Sequence, residues 1–164
     1  MIYYNKENIL IRDSKKEDIG YIADNMRRSD IDEIWASNNR LPKEALDIGF
    51  KDSLKCITGL KDNIPVCIFG INPDSILGRS AVIWFLATPN IIDNKYIFLR
   101  QSRKFIDMFL EEYSFLYNFV DDRNKDSIKW LKWCGARING CVTYGVEKID
   151  FHPFTFEKYR RNYV

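Results

Sequence analysis

The chain has 164 residues, with 25 Lys and Arg against 23 Asp and Glu for a formal net charge of +2, and it is 46% hydrophobic and 15% aromatic. Near-balanced charge argues against a dedicated nucleic-acid domain, which needs a basic surplus to meet phosphates, so no nucleic-acid partner is expected. The apolar content is enough for a full core in one domain over 1–164 and excludes a disordered chain.

The longest apolar stretch, residues 81–87, is far short of a membrane span, and the start MIYYNKEN lacks the layout of a signal peptide. A cytoplasmic protein with no membrane partner is the expectation. Cys56, Cys67, Cys134 and Cys141 form no C-x-x-C pair, and His152 is the only histidine, so no metal site is expected and the thiols read as small buried residues. Nucleophilic catalysis by a Ser-His-Asp or Cys-His set would have to run through His152, beside Pro153 in an apolar stretch, and is not favoured. Charge is unevenly placed. Residues 1–53 carry 9 basic and 11 acidic groups, whereas residues 95–137 carry 9 and 6, which makes the later stretch the better place for an anionic ligand.

In chain order, residues 9–12 predict a strand, and Ser14 with Glu17 forms the S-x-x-E pattern that caps a helix running to Met26 or Arg27. Ser29 is placed to cap a second, short helix through Asp30, Glu33, Ile34 and Trp35, ending at Ser37, Asn38 and Asn39. Pro42 suits the first turn of a third helical piece containing Ala45, Leu46 and Ile48. Residues 54–59, 64–71 and 80–87 are apolar runs separated by turn residues and predict an antiparallel meander. Tyr96, Leu99, Arg103, Ile106 and Leu110 recur at helical spacing over 96–113, with Phe98, Phe105 and Phe109 widening the apolar face. Residues 115–120 predict a strand, 125–134 a helix closed by Gly135, and 141–146 with 151–156 a final hairpin. No repeat or linker interrupts this β-α-α-β-β-β-α-β-α-β-β order.

The helix opening Asn124-Lys125-Asp126-Ser127 and closing at Gly135 has an Asn, a small residue three later, an aromatic six later and a glycine eleven later. This resembles the late motif of the GNAT N-acetyltransferase superfamily, whose element order is also similar. MRRSDIDEIW at 26–35, PVCIFG at 65–70, WFLAT at 84–88, FLRQSR at 98–103, NFVDDRN at 118–124, WLKW at 130–133 and PFTF at 153–156 follow in order. Together they look like a bacteriophage branch of that superfamily, which includes small internal-virion and virion-assembly proteins of short-tailed phages.

The resemblance implies an α+β GNAT fold, with a central, mostly antiparallel mixed sheet flanked by helices, and acetyl-CoA or CoA bound where two strands splay apart. By that analogy Leu86, Thr88, Lys95, Arg100, Arg103, Asn124 and Ser127 are the cofactor-binding candidates. Asp30 and Glu33, on the helix that walls the acceptor site in this fold, are the candidate bases. The acceptor would be a small-molecule or protein amine.

Three departures point the other way. Residues 88–96, where the superfamily places its diphosphate loop, contain no glycine, and an Asp93 or Asn94 cap would occupy donors that a phosphate needs. The strand 81–87 has no carboxylate, and Leu131 stands where the superfamily often has its tyrosine acid, leaving Tyr117 and Tyr144 as substitutes. An inactive phage structural, assembly or host-interaction protein, partnered by a virion or host protein in the host cytoplasm or the virion, is therefore the alternative to an N-acyltransferase.

Overall fold

The computed structural model describes residues 1–75 and 78–158, without the side chain of Asn94. The ends of the expected domain at 159–164 and an Asn94 cap lie outside the described residues. The elements are β1 (Ile2–Lys6), β2 (Ile9–Asp13), α1 (Lys16–Asp24), α2 (Arg28–Asn38), α3 (Pro42–Asp52), β3 (Lys55–Lys61), β4 (Ile64–Pro73) and β5 (Ser80–Ala87). After a 3-10 segment (Pro89–Asn94) come α4 (Lys95–Glu112), β6 (Phe115–Asp121), α5 (Lys125–Trp133), β7 (Arg137–Ile138), β8 (Val142–Tyr144) and β9 (Ile149–Glu157). The α+β order is as expected, with the third helical piece forming a full helix, α3, and with β1, β7 and the 3-10 segment added. β1 escapes the sequence pattern because it is an edge strand with no buried residue, although Tyr3 and Tyr4 pack on the core.

All strands join one sheet in the order β1-β2-β3-β4-β5-β6-β9-β7, with β8 also on β9. Every pairing is antiparallel except β5 with β6, which needs the long crossover through α4. The β3–β4 hairpin turns at Asp62 and Asn63, both at positive φ (49° and 65°), the conformation a tight two-residue turn demands. Helices α1–α3 cover one face of the sheet through Ile19, Ile22, Ile34 and Leu46, while α4 and α5 cover the other through Phe105, Phe109, Ile128 and Leu131. Phe109, Phe151 and Phe156 are at most 1% exposed, each contributing roughly 2–3 kcal/mol by burial. Among the described residues, no helix is long and apolar enough to cross a membrane.

Local details depart from the sequence reading in instructive ways. The first helix is capped by Lys15, whose N–H donates to Asp18 at 2.8 Å, not by Ser14, whose hydroxyl accepts from Thr58. Asp18 is drawn into that role by a two-point pairing with Arg12 at 2.8 and 2.9 Å. Ser29 lies inside α2, which starts after Arg27, and Asn39 ends that helix in the left-handed conformation at φ 52°. Gly135, at φ 90°, does close α5. Of the four thiols, Cys67 and Cys134 are buried, Cys56 is half-buried and Cys141 is exposed. Burial pushes the Cys56 thiol up to about 11 and that of Cys67 up to about 12. The expectation of four buried thiols fails at Cys141, which is exposed in the connection before β8, and holds only in part at Cys56.

Candidate functional site

The parallel pair at the centre of the sheet is short. Ser80, Ala81 and Val82 register with Phe115, Leu116 and Tyr117, and there the ladder stops, although β5 runs on to Ala87 and β6 to Asp121. Asn118 sits at the fork and donates its side-chain N–H to the Ile83 carbonyl at 2.8 Å. Beyond it the strands diverge around a cavity of about 390 Å³, lined by Ile83, Phe85 and Leu86 on one strand and by Asn118, Phe119 and Val120 on the other. At the end of β5, Ala87 donates its N–H to Asp30 and accepts from the Arg27 N–H, both at 2.9 Å. Backbone groups two residues apart point the same way along a strand. Those of Phe85, between Ile83 and Ala87, are therefore aimed into the opening.

Helix α2 forms one wall, because Asp30, Glu33 and Ser37 recur at three- and four-residue spacing and share a face toward the opening. Asp30 is spent on structure: Oδ2 takes the Ala87 N–H, and Oδ1 lies 2.8 Å from Arg27 Nε in an ion pair without an aligned hydrogen bond. Burial raises its carboxyl above the usual range, against the pull of Arg27 and the Ala87 N–H. Both oxygens of this candidate base are thus engaged, and they tie the end of β5 to α2.

Glu33 is different. Its Oε2 accepts from the Asp121 N–H at 3.1 Å and from Asn124 Nδ2 at 3.3 Å. Among the described residues, the bonds to this carboxylate fall on Oε2, which leaves Oε1 for a ligand. Burial deep among protein atoms pushes its carboxyl up to about 7, and the neighbouring Asp30 and Asp121 charges add to the rise while the two hydrogen bonds oppose it. The side chain nonetheless borders the cavity and keeps some exposure through it.

The opposite wall is α5. Asn124 caps it, its side chain accepting from the Ser127 N–H at 3.3 Å. Ser127 in turn accepts from Arg27 Nη2 at 3.2 Å, so Arg27 bridges α2, β5 and α5 across the cleft, and its guanidinium lies 5.7 Å from the Phe85 ring centre. Phe85, Phe98 and Trp130 form a mutual aromatic cluster with ring centres 5.1–5.5 Å apart. Trp130 Nε1–H is buried with no acceptor among the described residues, a donor that a bound carbonyl would satisfy.

The remaining candidates fall elsewhere. Thr88 is 1% exposed and anchors the end of β5 to the Val66 carbonyl through both its N–H and its hydroxyl. Lys95 lies over the Tyr96 ring, and Arg103 stacks 3.6 Å from the Trp133 ring centre while donating to the Trp133 carbonyl at 2.6 Å. Arg100 lines a separate surface recess with Tyr4, Lys6 and Lys104. Asp93 pairs with Lys61 at 3.2 Å instead of capping α4. The 3-10 segment uses amides: Ile91 N–H goes to the Thr88 carbonyl and Lys95 N–H to that of Ile92. Tyr117 points out of the cleft to Asp74 at 2.7 Å, whereas Tyr144, stacked 4.0 Å on Phe119, is the one phenol among the described residues lining the cavity. Leu131 lines it as well. Arg27 and Asn118 are the site residues missed in the sequence. The signal for Asn118 was a polar side chain inside an apolar run, whereas Arg27 looked like an ordinary helix-surface cation.

A family model described as "Bacteriophage T7, probable scaffold protein Gp13" matches residues 70–143. No curated protein sequence matches the chain. Solved structures match throughout its length. A GNAT-family acetyltransferase from Bacillus anthracis shares 15% identity over 98% of this chain and 100% of that one, with a TM-score of 0.69. The ribosomal-protein-S5-alanine acetyltransferase from Vibrio fischeri shares 14% over 99% of both chains, at 0.68. Spermidine N-acetyltransferase from Vibrio cholerae, in complex with CoA and spermine, shares 12% over 92% and 96%, at 0.69. The chain has the GNAT acetyltransferase fold.

Proposed function

We propose that this chain is an acyl-CoA-dependent N-acyltransferase of an amine acceptor, with Glu33 taking the amine proton. One observation carries the reading: a carboxyl held near neutrality borders the opening between β5 and β6, opposite backbone groups of Phe85 that are free of a neighbouring strand. A base with that affinity for protons is matched to work near pH 7. The relative solved with CoA and spermine supports both halves of the reading, a CoA thioester and a cationic amine.

The residues fit the acyl-bearing arm of acetyl-CoA. Phe85 backbone, Trp130 Nε1–H, Asn124 and Ser127 offer polar contacts inside an aromatic slot, and the bound group would supply an activated thioester. At the diphosphate end, the Ile91 and Lys95 amides ahead of α4 are already bonded within the 3-10 segment. In this scheme the Phe85 N–H polarises a carbonyl laid along β5. Glu33 Oε1 holds an amine at the mouth and removes its proton, and Tyr144 is the phenol placed to return one. Asp30 and Arg27 keep the strands apart.

The second reading is a GNAT-fold phage scaffold, assembly or host-interaction protein whose cleft no longer turns over. It is favoured by the description of the matching family model and by the bonded amides of Thr88, Ile91 and Lys95. Thermal-shift titration with acetyl-CoA, followed by product detection on a panel of polyamines and N-terminal peptides, separates the two. Enzyme function requires a saturable rise in Tm, lowered by Asn124→Ala, and product above a no-protein control that is lost in Glu33→Gln. No shift at millimolar acetyl-CoA would sink it. A shift without product from any acceptor would favour the scaffold reading.

A further inference from the structure

Away from the cleft, three side chains distant in sequence meet at the end of the sheet. Asp122 follows β6, Cys141 precedes β8 and His152 lies on β9, and their ligating atoms all fall within 4.8 Å of one another. His152 Nε2 is 2.9 Å from Asp122 Oδ1 and 3.2 Å from Cys141 Sγ. Its other nitrogen, Nδ1, is 2.8 Å from the Asn139 carbonyl, which can only accept, so Nδ1 carries a proton and the ring is oriented by it. That is the arrangement in which a metal-binding imidazole is usually held: one nitrogen donates to a backbone carbonyl and the other faces the ligand point.

The strands set this geometry. Val142 registers with Phe151, Asn139 N–H bonds the Pro153 carbonyl and Asp122 N–H bonds the Asp150 carbonyl, which fixes the backbone on each side of the cluster. The cluster is not a relay for nucleophilic catalysis, because the acid and the shorter thiol approach share Nε2, while Nδ1, 3.7 Å from the sulfur, is taken by a carbonyl at 2.8 Å.

We propose that Asp122, Cys141 and His152 form a Zn²⁺ site with one sulfur, one nitrogen and one oxygen ligand and a water completing a tetrahedron. A mixed S/N/O set suits a borderline-soft divalent ion better than Mg²⁺ or Ca²⁺, which take oxygen alone. The partial exposure of Asp122 and His152 and the exposure of Cys141 leave the fourth position open to solvent. Binding replaces the thiol proton of Cys141, which passes to the buffer, and uses the Nε2 lone pair of His152. Lys125, 2.6 Å from Asp122 Oδ1, keeps the carboxylate charged while the metal is absent.

The test uses the whole chain and Co²⁺ as a spectroscopic probe, then Zn²⁺ by calorimetry and by competition. One Co²⁺ per chain with a thiolate-to-cobalt absorption band is expected, displaced by one equivalent of Zn²⁺. Cys141→Ser should abolish the band although Cys56, Cys67 and Cys134 remain, and Asp122→Asn and His152→Gln should each weaken Zn²⁺ binding at least ~10-fold. Zn²⁺ should also slow alkylation of Cys141, with EDTA restoring it. A band that survives Cys141→Ser, or the absence of stoichiometric uptake, overturns the proposal.

Discussion

Glu33 ties stability to pH in a way that can be measured without knowing any substrate. Its carboxyl rises from 4.5 to about 7 on folding, mainly through burial. Between those values the folded state binds more protons than the unfolded state, so stability falls as pH rises. At about 1.4 kcal/mol per unit, the rise corresponds to roughly 3 kcal/mol, present below pH 4.5 and lost above pH 7. Glu33→Gln removes the charge yet keeps an oxygen to accept from the Asp121 N–H and Asn124 Nδ2. Urea unfolding of both proteins at intervals from pH 4.5 to 8.5 should show the variant gaining on the wild type by about 3 kcal/mol across the range, with unchanged m-values. Parallel curves would show that Glu33 is solvated like a surface carboxylate, and the case for it as a base would fail with them. The same variant should lose acyl transfer, so gain in stability and loss of activity are expected together.

Other consequences follow from the same geometry. Asp30→Asn leaves an acceptor for the Ala87 N–H but strips Arg27 of its counter-charge, and should cost about 2–4 kcal/mol in chemical denaturation. Asn118→Ala removes the bond to the Ile83 carbonyl at the fork and should cost about 1–2 kcal/mol, with faster hydrogen exchange in β5 and β6 than elsewhere in the sheet. Gly145→Ala places a Cβ 2.4 Å from the Ala36 carbonyl at a φ of +77° and should cost more than ~2 kcal/mol by lifting the β8–β9 turn off α2. Gly140→Ala, with nothing within 4 Å of the added carbon, should stay within ~0.5 kcal/mol of wild type and serves as its control.

Elements with a strong local period were legible in the chain itself. The 3.6-residue spacing of Phe105, Ile106, Phe109 and Leu110 fixed α4, the Asp62-Asn63 turn fixed the β3–β4 hairpin, and Asn124 with Gly135 marked both ends of α5, because propensity and capping act over a few residues. Those elements, with the motif pieces that follow in order, carried the resemblance to the GNAT superfamily, and that resemblance put Glu33 and Asn124 forward as candidates. Only the tertiary structure could decide what each charge does there. Asp30 and Glu33 are three residues apart on one helix and look alike in sequence, yet Asp30 engages Arg27 and the Ala87 N–H with both oxygens, while the bonds to Glu33 from the described residues fall on one oxygen. Lys95, Arg100 and Arg103 look like one cationic group in sequence, yet in the fold Lys95 lies over Tyr96, Arg103 on Trp133 and Arg100 in a separate recess. Asp122, Cys141 and His152 are 19 and 11 residues apart along the chain and meet because β6, β8 and β9 register side by side. A charge takes its role from what surrounds it in three dimensions, and those neighbours are supplied by long-range pairing that no local pattern encodes.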